Sequence, residues 1–437
     1  ETRQIFNKKS TKKNKKIIQI SRDNAAQYRF TKGTSTVFAT GEGCVDIGVE
    51  EMHAALQERS ERAGEICPQV TWTKMHYNWI VWKLAAMERA FPSIFGGRWL
   101  TPDRVILQLL ERYDKEVLGS TRSVLTMIKQ RDMQATLHLV LCVSGINAED
   151  DNSIKLELMD GWNSIQAVLS PCLSKLVRLN KIFVGQKLRL YGSEMLPQHE
   201  GQDVILKIGC NGVRRAEWHA KLGATSALPP FVSIRSVKSG EGVVPAILVV
   251  VQRLFPLVHM EILDSGDKLW RSSSKEEDAR TTAQQVQRDE WDHFLAGQMK
   301  LENMEGDAET PEEGQERQDK IEQWHKEFLK QQVDRKVCAA MRCRVACLSP
   351  SQRQQDGSVA AEALVTFWRP EEGIHEDVRE GAVLELYNLS ASPVRKSGLV
   401  CLSSMKGTKC RRLSIPSPQI QAQVNYSYNA RRWRDVS

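Results

Sequence analysis

The sequence predicts a multidomain α+β protein in which an all-helical domain precedes two small β-barrels, the second interrupted by a short helical hairpin. Three patterns predict this order. Apolar residues recur at steps of three and four between Tyr77 and Phe91, and near Gln134 the apolar period changes to two. A second β pattern is then interrupted by residues 275–340, which are rich in Glu, Gln and Lys. The first spacing is typical of one buried helix face, and the period of two is typical of half-buried strands. The composition of residues 275–340 is typical of solvated helices.

Length and composition agree with an ordinary globular chain. The 437 residues correspond to about two to four domains, and 41% apolar with 26% charged residues is a usual composition. No window approaches 18 uncharged apolar residues, which argues against a membrane span. The basic N-terminus lacks the apolar stretch of a secretory signal. The ten cysteines are scattered, so we expect free thiols in a reducing compartment.

The net charge of +7 is unevenly distributed. Residues 1–40 hold ten Lys/Arg against two acids, and residues 386–437 hold nine Lys/Arg against one, so each end carries +8. Residues 276–327 hold sixteen acids against six Lys/Arg, a net of −10. Basic ends around an acidic middle indicate local contact with a polyanion, although a solvated charged surface explains them as well.

The helical domain is expected over residues 17–133, behind a basic flexible lead of residues 1–16 that suits nuclear import or nucleic-acid contact. It opens with an extended segment over residues 17–38 and a short helix over residues 49–59. The next helix should bury one face, made of Ile80, Leu84, Met87 and Phe91.

Thr101 begins the following helix, because a Thr N-cap followed by Pro102 and Asp103 is a strong start signal. Gly119 is a fitting stop. The predicted buried face of this helix comprises Val105, Ile106, Leu109, Leu110, Tyr113 and Val117. We expect a third helix, with one apolar side made of Val124, Leu125 and Ile128, to complete the domain.

Residues 134–223 predict a first barrel. Five alternating segments are separated by turns, and the residue pair Asp160-Gly161 marks a tight hairpin. A short helix over residues 172–180 falls between the third and fourth strands. This order is typical of the oligonucleotide-binding (OB) fold, although a generic small β-barrel is an alternative.

Residues 224–437 predict a second OB barrel that begins with the strand FVSIRSV. Its β pattern stops at residue 275 and resumes after residue 340, so we expect two helices joined by an acidic turn to be inserted in the barrel. The apolar residues expected to join the two helices are Trp291, Phe294 and Leu295 on one and Ile321, Trp324 and Phe328 on the other.

Enzymatic motifs are missing from the sequence. No G-x-x-x-x-G-K-[ST] phosphate loop and no H-E-x-x-H pair occurs, and the nine histidines are solitary. Cys338, Cys343 and Cys347 form the closest cysteine group, but their spacing lacks a C-x-x-C pair. We therefore predict a protein that is not an enzyme and that carries no catalytic residue, metal or cofactor.

The second barrel has the residue types that hold single-stranded DNA. Aromatic side chains stack bases, and cations pair with phosphates. Trp368 is the first candidate, although a core or rim position would explain this residue as well. Solvated charge would likewise explain the basic residues of the loop SASPVRKSG. The predicted DNA-binding residues are Trp368, Arg369, Tyr387, Arg395, Lys396, Lys406, Lys409, Arg411 and Arg412.

Long blocks of the sequence resemble a known family. WIVWKLAAMERAFP, LTPDRVILQLLERYD, LHLVLCVSGI, LELMDGW and VGQKLRLYG are similar to the C-terminal DNA-binding region of the breast cancer type 2 susceptibility protein family. The similarity runs, with gaps, from about Ile17 to about Ser417. In that family the second OB barrel carries a long helical tower with a three-helix bundle at its tip. The roughly 65 residues of the insertion suffice for two helices and not for the bundle. The given sequence ends before a third OB barrel could form, so we expect either that it is a fragment or that the third barrel is absent.

The resemblance implies a nuclear module of homologous-recombination DNA repair. It implies single-stranded DNA as a ligand and, through regions outside this chain, the loading of a RecA-like recombinase on resected ends. It also implies a small, acidic, disordered partner (the protein deleted in split hand/split foot) on the helical domain and first barrel. The residues suited by type to that partner are Lys74, Trp79, Lys83, Arg98, Trp99, Asp160 and Trp162, of which Trp79 suits a core position better.

Two alternatives remain open on the sequence alone. A scaffold whose barrels bind only proteins would show no salt-dependent affinity for oligonucleotides. A telomere or replication factor of the OB class would account for the barrels and leave the helical blocks unexplained.

Overall fold

The computed structural model describes eight stretches of the chain, which are residues 19–31, 46–150, 153–196, 203–301, 311–331, 335–348, 361–392 and 399–414. The chain divides into two units. Unit 1 comprises Glu1–Pro229 with Glu241–Val243, and unit 2 comprises Pro230–Gly240 with Val244–Ser437. Within the described stretches, no helix combines the length and apolar character needed to cross a membrane.

Unit 1 begins with a small sheet and a group of helices. The sheet pairs β1 (Phe30–Thr31) with β2 (Asp46–Ile47). The helices are α1 (Val49–Ala63), α2 (Val70–Ala90), α3 (Pro92–Phe95), α4 (Pro102–Tyr113) and α5 (Val124–Lys129), with a π-helical turn at Asp114–Leu118.

The predicted start of α4 is confirmed in its geometry. The Thr101 hydroxyl accepts a hydrogen bond from the Arg104 amide at 3.4 Å, and Pro102 occupies the first helical position. The fully buried side chains of this helix include Val105 and Leu109, which pack against Ile80 of α2 and its neighbours in one core. The period of 3.6 residues therefore predicts correctly which faces meet. The face predicted for α2 is buried only at its N-terminal half, because Met87 and Phe91 are partly exposed.

The first barrel follows, and it has the OB connectivity. Its elements are β3 (Leu139–Asp150), β4 (Ser153–Met159), β5 (Ser164–Leu169), α6 (Pro171–Arg178), β6 (Lys187–Leu190), β7 (Glu194–Met195), β8 (Ile205–Ile208), β9 (Val213–Arg215) and β10 (Gly223–Ala224). The first three strands pair antiparallel in sequence, β6 returns to β3, and β8 pairs parallel with β5. A helix between the third and fourth strands completes the arrangement.

Helix α5 differs from the prediction for the helical domain. Its buried side chains Leu125 and Ile128 pack in the core of the first barrel, together with Leu139 and Leu156, and not against α2 or α4. The apolar spacing predicts a buried helix face correctly, but it carries no information about which of two neighbouring cores receives that face.

Unit 2 contains the second barrel. Its elements are β11 (Val243–Leu254), β12 (Val258–Ile262), β13 (Lys268–Ser272), α7 (Ser273–Leu301), α8 (Pro311–Gln331), β14 (Lys336–Cys347), β15 (Glu362–Trp368), α9 (Glu372–Asp377), β16 (Val383–Ser392) and β17 (Val400–Arg412). Strand β11 pairs with both β14 and β16, so the sheet closes on itself. Strand β17 pairs parallel with β15, as β8 does with β5 in unit 1.

One predicted strand of the second barrel is wrong. The segment FVSIRSV contributes a single parallel bridge between Phe231 and Ala246, and Ile234–Ser236 forms a 3₁₀ turn. Val232, Ile234 and Val237 are nevertheless buried in the barrel core. Apolar residues at these positions therefore reflect burial rather than strand pairing, and the sequence pattern does not distinguish the two.

The helical insertion consists of α7 and α8. It begins at Ser273, two residues before the expected range 275–340, and β14 already begins at Lys336, before that range ends. Its two helices meet through aromatic side chains as predicted. The Trp291 ring lies 5.3 Å from that of Phe328 and 4.8 Å from His325, and Phe294 lies 5.5 Å from Phe328. Trp324 is buried as well.

Candidate nucleic-acid interface and partner surface

Two tryptophans lie side by side on the outer face of the second barrel. Trp270 of β13 and Trp368 of β15 have ring centroids 5.9 Å apart with an angle of 39° between the rings. The Arg342 guanidinium of β14 lies 4.3 Å from the Trp270 ring centroid. Trp270 is 40% exposed and Trp368 is half-buried. We call Trp270, Trp368 and Arg342 the tryptophan pair with its arginine.

Strand register explains why Trp368 lies on this face. Residues alternate along β15, and Phe367, which is fully buried, points into the barrel. Strand β14 separates β15 from β12, and β12 pairs with β13, so the outer faces of these four strands are continuous. The core position that the sequence left open for Trp368 therefore does not apply. The adjacent Arg369 is exposed at a positive φ of 48°, and its amide donates to the Ala339 carbonyl at 2.8 Å.

A bulge in β17 begins beside Trp368. The Trp368 amide donates to the Ser404 hydroxyl at 2.8 Å, two residues before the exposed Lys406. The bulge spans residues 405–408, because Leu389 pairs with Ser404 whereas Tyr387 pairs with Lys409. It is held by Asn388, which donates to the Lys406 carbonyl at 3.4 Å.

Tyr387 and Lys409 continue this surface beyond the bulge. They pair directly across β16 and β17, as do Glu385 and Arg411, so all four side chains share the outer face. The Tyr387 hydroxyl donates to Glu385 at 3.0 Å, and burial together with this carboxylate raises the pKa of Tyr387 to about 12. Arg411 lies 3.7 Å from Glu385, which neutralises part of its charge. Arg412, which ends the strand, is exposed.

The structure therefore places seven of the nine predicted DNA-contact residues at the end of β15, in the middle of β16 and along β17 from its bulge to its last residue. Arg395 and Lys396 lie outside the described residues. Trp270 and Arg342 were not predicted. Arg342 alternates with the inward-facing Met341 and Cys343, so its outward direction is visible in the strand pattern. Trp270 gives no such signal, because its position beside Trp368 depends on strand pairing across the insertion.

An ion-pair network lies where the helical insertion joins the second barrel. The buried Glu261 of β12 accepts hydrogen bonds from Arg335 at 2.6 Å and from Arg271, and both arginines also contact Glu276 of α7. The hydrogen bond from Arg335, with that from Arg271, lowers the pKa of Glu261 to about 2 despite its burial. These contacts tie α7 to the barrel and thereby fix the strands that carry Trp270.

Unit 1 presents a second aromatic surface. Trp218 is 52% exposed and stacks on Phe91, with ring centroids 4.6 Å apart, and it lies 6.5 Å from Phe95. Phe95 in turn contacts Trp99 at 4.6 Å. The exposed residues Arg89, Ile94 and Arg98 come from the same stretch of chain. We call Phe91, Phe95, Trp99 and Trp218 the aromatic patch.

The residues predicted to contact a protein partner have different locations. Arg98 and Trp99 lie in or beside the aromatic patch, and the Arg104 guanidinium covers the Trp99 ring at 4.3 Å. Trp79, predicted as a partner contact, is instead buried in the helical core, the alternative that suited it better. The remaining candidates are Lys74, Lys83, Asp160 and Trp162.

Asp160 has a structural position. Its buried carboxylate accepts hydrogen bonds from the amides of Leu125, Trp162 and Asn163 at 2.9 to 3.0 Å. It therefore caps α5 and the hairpin turn at once, and Trp162 is half-buried beside it. Lys74 and Lys83 are exposed on α2, where Lys83 contacts the Gln108 side chain.

Two family profiles match unit 1. The profile described as "BRCA2, helical" matches residues 35–120, and that described as "BRCA2, oligonucleotide/oligosaccharide-binding, domain 1" matches residues 123–226. Two relatives from Arabidopsis thaliana, "Protein BREAST CANCER SUSCEPTIBILITY 2 homolog A" and "homolog B", are each 30% identical over 277 residues. The match covers 59% of this chain and 23% of each relative, so the chain spans about a quarter of their length.

Solved structures resemble the chain only weakly. A replication protein A heterotrimer bound to ssDNA has a TM-score of 0.21 and 8% identity, over 68% of this chain and 53% of that chain. The HINb domain of p204 has a TM-score of 0.19 and 8% identity, over 64% of this chain and 100% of that chain. The two domain profiles agree with the order of elements in unit 1, a helical group followed by an OB barrel. Residues 35–120 and 123–226 thus match the helical domain and the first OB domain of the BRCA2 family, and these matches with the two relatives support a DNA-binding region similar to that of the family.

Proposed function

We propose that this chain is the single-stranded-DNA-binding and partner-binding module of a nuclear protein of homologous-recombination repair. The tryptophan pair with its arginine carries the proposal. Each aromatic face that stacks a base contributes about 1–3 kcal/mol to binding, and every base offers such a face, so the site suits single strands without sequence preference. Similarity to the BRCA2 family supports the repair role, because two relatives carry the BREAST CANCER SUSCEPTIBILITY 2 name.

The cations around the bulge supply the phosphate contacts of the proposed site. Lys406, Lys409 and Arg412 are exposed, and Arg369 is exposed at the end of β15 beside Trp368. A strand whose bases stack on the tryptophan pair would place its phosphates along these side chains. The fixed spacing of cations and rings favours a flexible single strand over a duplex, whose bases are already stacked on one another.

In unit 1 we propose that the aromatic patch receives an acidic, largely disordered protein segment. The exposed Trp218, with the half-buried Phe91 and Trp99, would accept apolar residues of such a segment, and Arg89 and Arg98 would pair with its acids. The loading of a RecA-like recombinase is assigned to regions outside this chain. The rival function, a scaffold that binds only proteins, shares the aromatic patch but requires no stacking site on the second barrel.

Binding of fluorescent oligo(dT) and of duplex DNA, measured by anisotropy over a salt series, tests the DNA site. We expect the single strand to bind more tightly than the duplex. Its affinity should fall as the salt concentration rises, whereas the scaffold function predicts no salt-dependent affinity for oligonucleotides. Trp270→Ala and Trp368→Ala should each weaken oligo(dT) binding about 5- to 150-fold, the equivalent of about 1–3 kcal/mol. Trp218→Ala, which removes another exposed tryptophan, this one from unit 1, is the matched control.

The outcome separates the two functions. If the folded chain does not bind oligo(dT) at low salt, or if Trp218→Ala weakens binding as much as Trp270→Ala, the tryptophan pair is not a DNA site. The scaffold function would then stand. Circular dichroism of each variant identifies a loss of folding, which is a particular concern for the half-buried Trp368 and less so for Trp270.

A further inference from the structure

Two cysteines and a glutamate from three separate segments of unit 1 meet beside the first barrel. Cys172 is the second residue of α6, Cys210 follows β8, and Glu241 lies in a turn between two glycines of positive φ. The two thiol sulfurs and a carboxylate oxygen of Glu241 all lie within 4.8 Å of one another. This cluster is distant in sequence from the cysteine group considered at residues 338–347.

Backbone hydrogen bonds hold the three segments together. The Cys172 amide donates to Glu241 Oε1 at 3.2 Å, and the Asn211 amide donates to the Glu241 carbonyl at 3.2 Å. Gly209 is required for the approach, since a Cβ there would lie 2.2 Å from the Glu241 carbonyl oxygen. The positions of the three side chains are therefore set by the backbone.

Among the described residues, none forms an ion pair with the Glu241 carboxylate. Glu241 is only 8% exposed, and Oε2 has no hydrogen-bond partner within the described part of the chain. The nearby Arg214 guanidinium donates to the carbonyl oxygens of Cys210 and Val213, at 3.1 and 2.7 Å. A buried carboxylate without a paired cation is costly, so a further positive group beside it would stabilise the fold.

Burial, with Cys172 and Glu241 as neighbours, raises the pKa of the Cys210 thiol above its ordinary value. A neutral thiol beside a buried carboxylate is the form expected without a metal. A divalent cation reverses this preference, because thiolates bind metals in the deprotonated form and their protons pass to the solvent.

We propose that Cys172, Cys210 and Glu241 bind a thiophilic divalent cation, for which Zn²⁺ is the expected choice. Two thiolates and one carboxylate are ligands that zinc accepts, and the partly exposed position of both thiols leaves a fourth place for water. The ion would give the buried carboxylate a positive partner, with two thiol protons released to the solvent and the net charge of the site unchanged at −1, and it would join α6, the turn after β8 and residues 241–243. Its role is structural, and it does not depend on DNA binding by unit 2.

The test uses the full chain, reduced with a phosphine and stripped of metal. Zn²⁺ is titrated in competition with a chromophoric chelator, and Co²⁺ is added separately to reveal thiolate ligands by near-ultraviolet charge-transfer absorption. We expect one tight site per chain, abolished by Cys172→Ser and by Cys210→Ser. Glu241→Gln should weaken Zn²⁺ binding at least about tenfold, since the loss of even an outer partner costs that much. Cys347→Ser, at a half-buried cysteine of unit 2, should leave the titration unchanged.

Absence of a stoichiometric site in the folded wild-type chain would overturn the proposal. So would a Zn²⁺ site that survives Cys172→Ser, or a chain in which these two cysteines form a disulfide and bind no metal after reduction. If the variants fail to fold, the wild-type chain still decides. Its Co²⁺ spectrum must show thiolate coordination, and its unfolding temperature must rise with Zn²⁺.

Discussion

Trp368 and Phe367 show how one position along a strand separates a structural residue from a candidate binding residue. Phe367 is fully buried in the barrel, and Trp368 lies on the outer face beside Trp270. A strand end with two adjacent aromatics does not say which of them points inward. The neighbours of β15 decide it, because Val365 and Ala363 are fully buried and share the face of Phe367.

The arginines at the end of β17 differ in what surrounds them. Arg411 lies 3.7 Å from Glu385, so part of its charge is already balanced, whereas Arg412 ends the strand and is exposed. Reversing both charges with Arg411→Glu and Arg412→Glu should weaken oligo(dT) binding for every sequence. The slope of log K against log salt should fall by about 0.7 for each DNA phosphate that the protein no longer neutralises.

Anisotropy titrations at several salt concentrations measure that slope. Lys300→Glu, a single charge reversal at the far end of α7, is the control for each of the two reversals and should leave the slope unchanged. A double variant with the slope of the wild-type chain would remove both arginines from the DNA site.

At the scale of elements, the insertion depends on the ion pairs at its base. Glu261 and Glu276 are buried between Arg271 and Arg335, and the arginines lower the pKa of Glu261 from an ordinary 4.5 to about 2. A carboxylate whose pKa is lowered by folding stabilises the fold above its ordinary pKa. That contribution is lost as the pH falls from about 4.5 towards about 2.

We therefore expect β12, β14 and the start of α7 to lose protection in this pH window. Hydrogen exchange followed by mass spectrometry measures it by segment. Glu261→Gln should destabilise unit 2 by about 1–3 kcal/mol at neutral pH, because it leaves Arg271 and Arg335 with Glu276 as their one shared carboxylate among the described residues. It should also flatten the pH dependence of the stability of unit 2 in this window. Glu372→Gln, on exposed α9, is the control, and equal effects of the two changes would contradict the role of the network.

How far the sequence predicts these elements depends on the range of the contacts that decide them. Local signals succeed, as at Thr101, where the cap and Pro102 mark the first turn of α4. The OB order is likewise visible, since period 2 and the helix positions are local. The apolar pattern is insufficient where tertiary contacts decide the structure. The apolar face of α5 joins the barrel core, and the segment FVSIRSV is buried without becoming a strand.

The sites are less predictable than the elements for the same reason. Trp270 and Trp368 are brought together by strand pairing across the helical insertion, and Trp218 reaches Phe91 from the segment between β9 and β10 of the first barrel. Residue type alone could nominate Trp368 but could not nominate Trp270. The cluster of Cys172 and Glu241 is a still longer-range contact, and no spacing rule for cysteines covers it.

At the scale of the whole molecule, each unit carries its own candidate surface, and the two ligands should be separable by mutation. The aromatic patch should bind a fluorescent peptide that alternates acids with aromatic residues. Trp218→Ala should weaken that binding by about 1–3 kcal/mol, as for an aromatic anchor in an interface, and leave the oligo(dT) affinity unchanged. Trp270→Ala should weaken oligo(dT) binding and leave peptide binding unchanged, because Trp270 lies in unit 2. Titration of both variants with both ligands measures the four effects side by side.

If Trp218→Ala leaves peptide binding intact while the chain remains folded, the acidic segment binds elsewhere on unit 1. Charge reversal at the exposed Lys74 and Arg98 then distinguishes the face of α2 from the region around the patch.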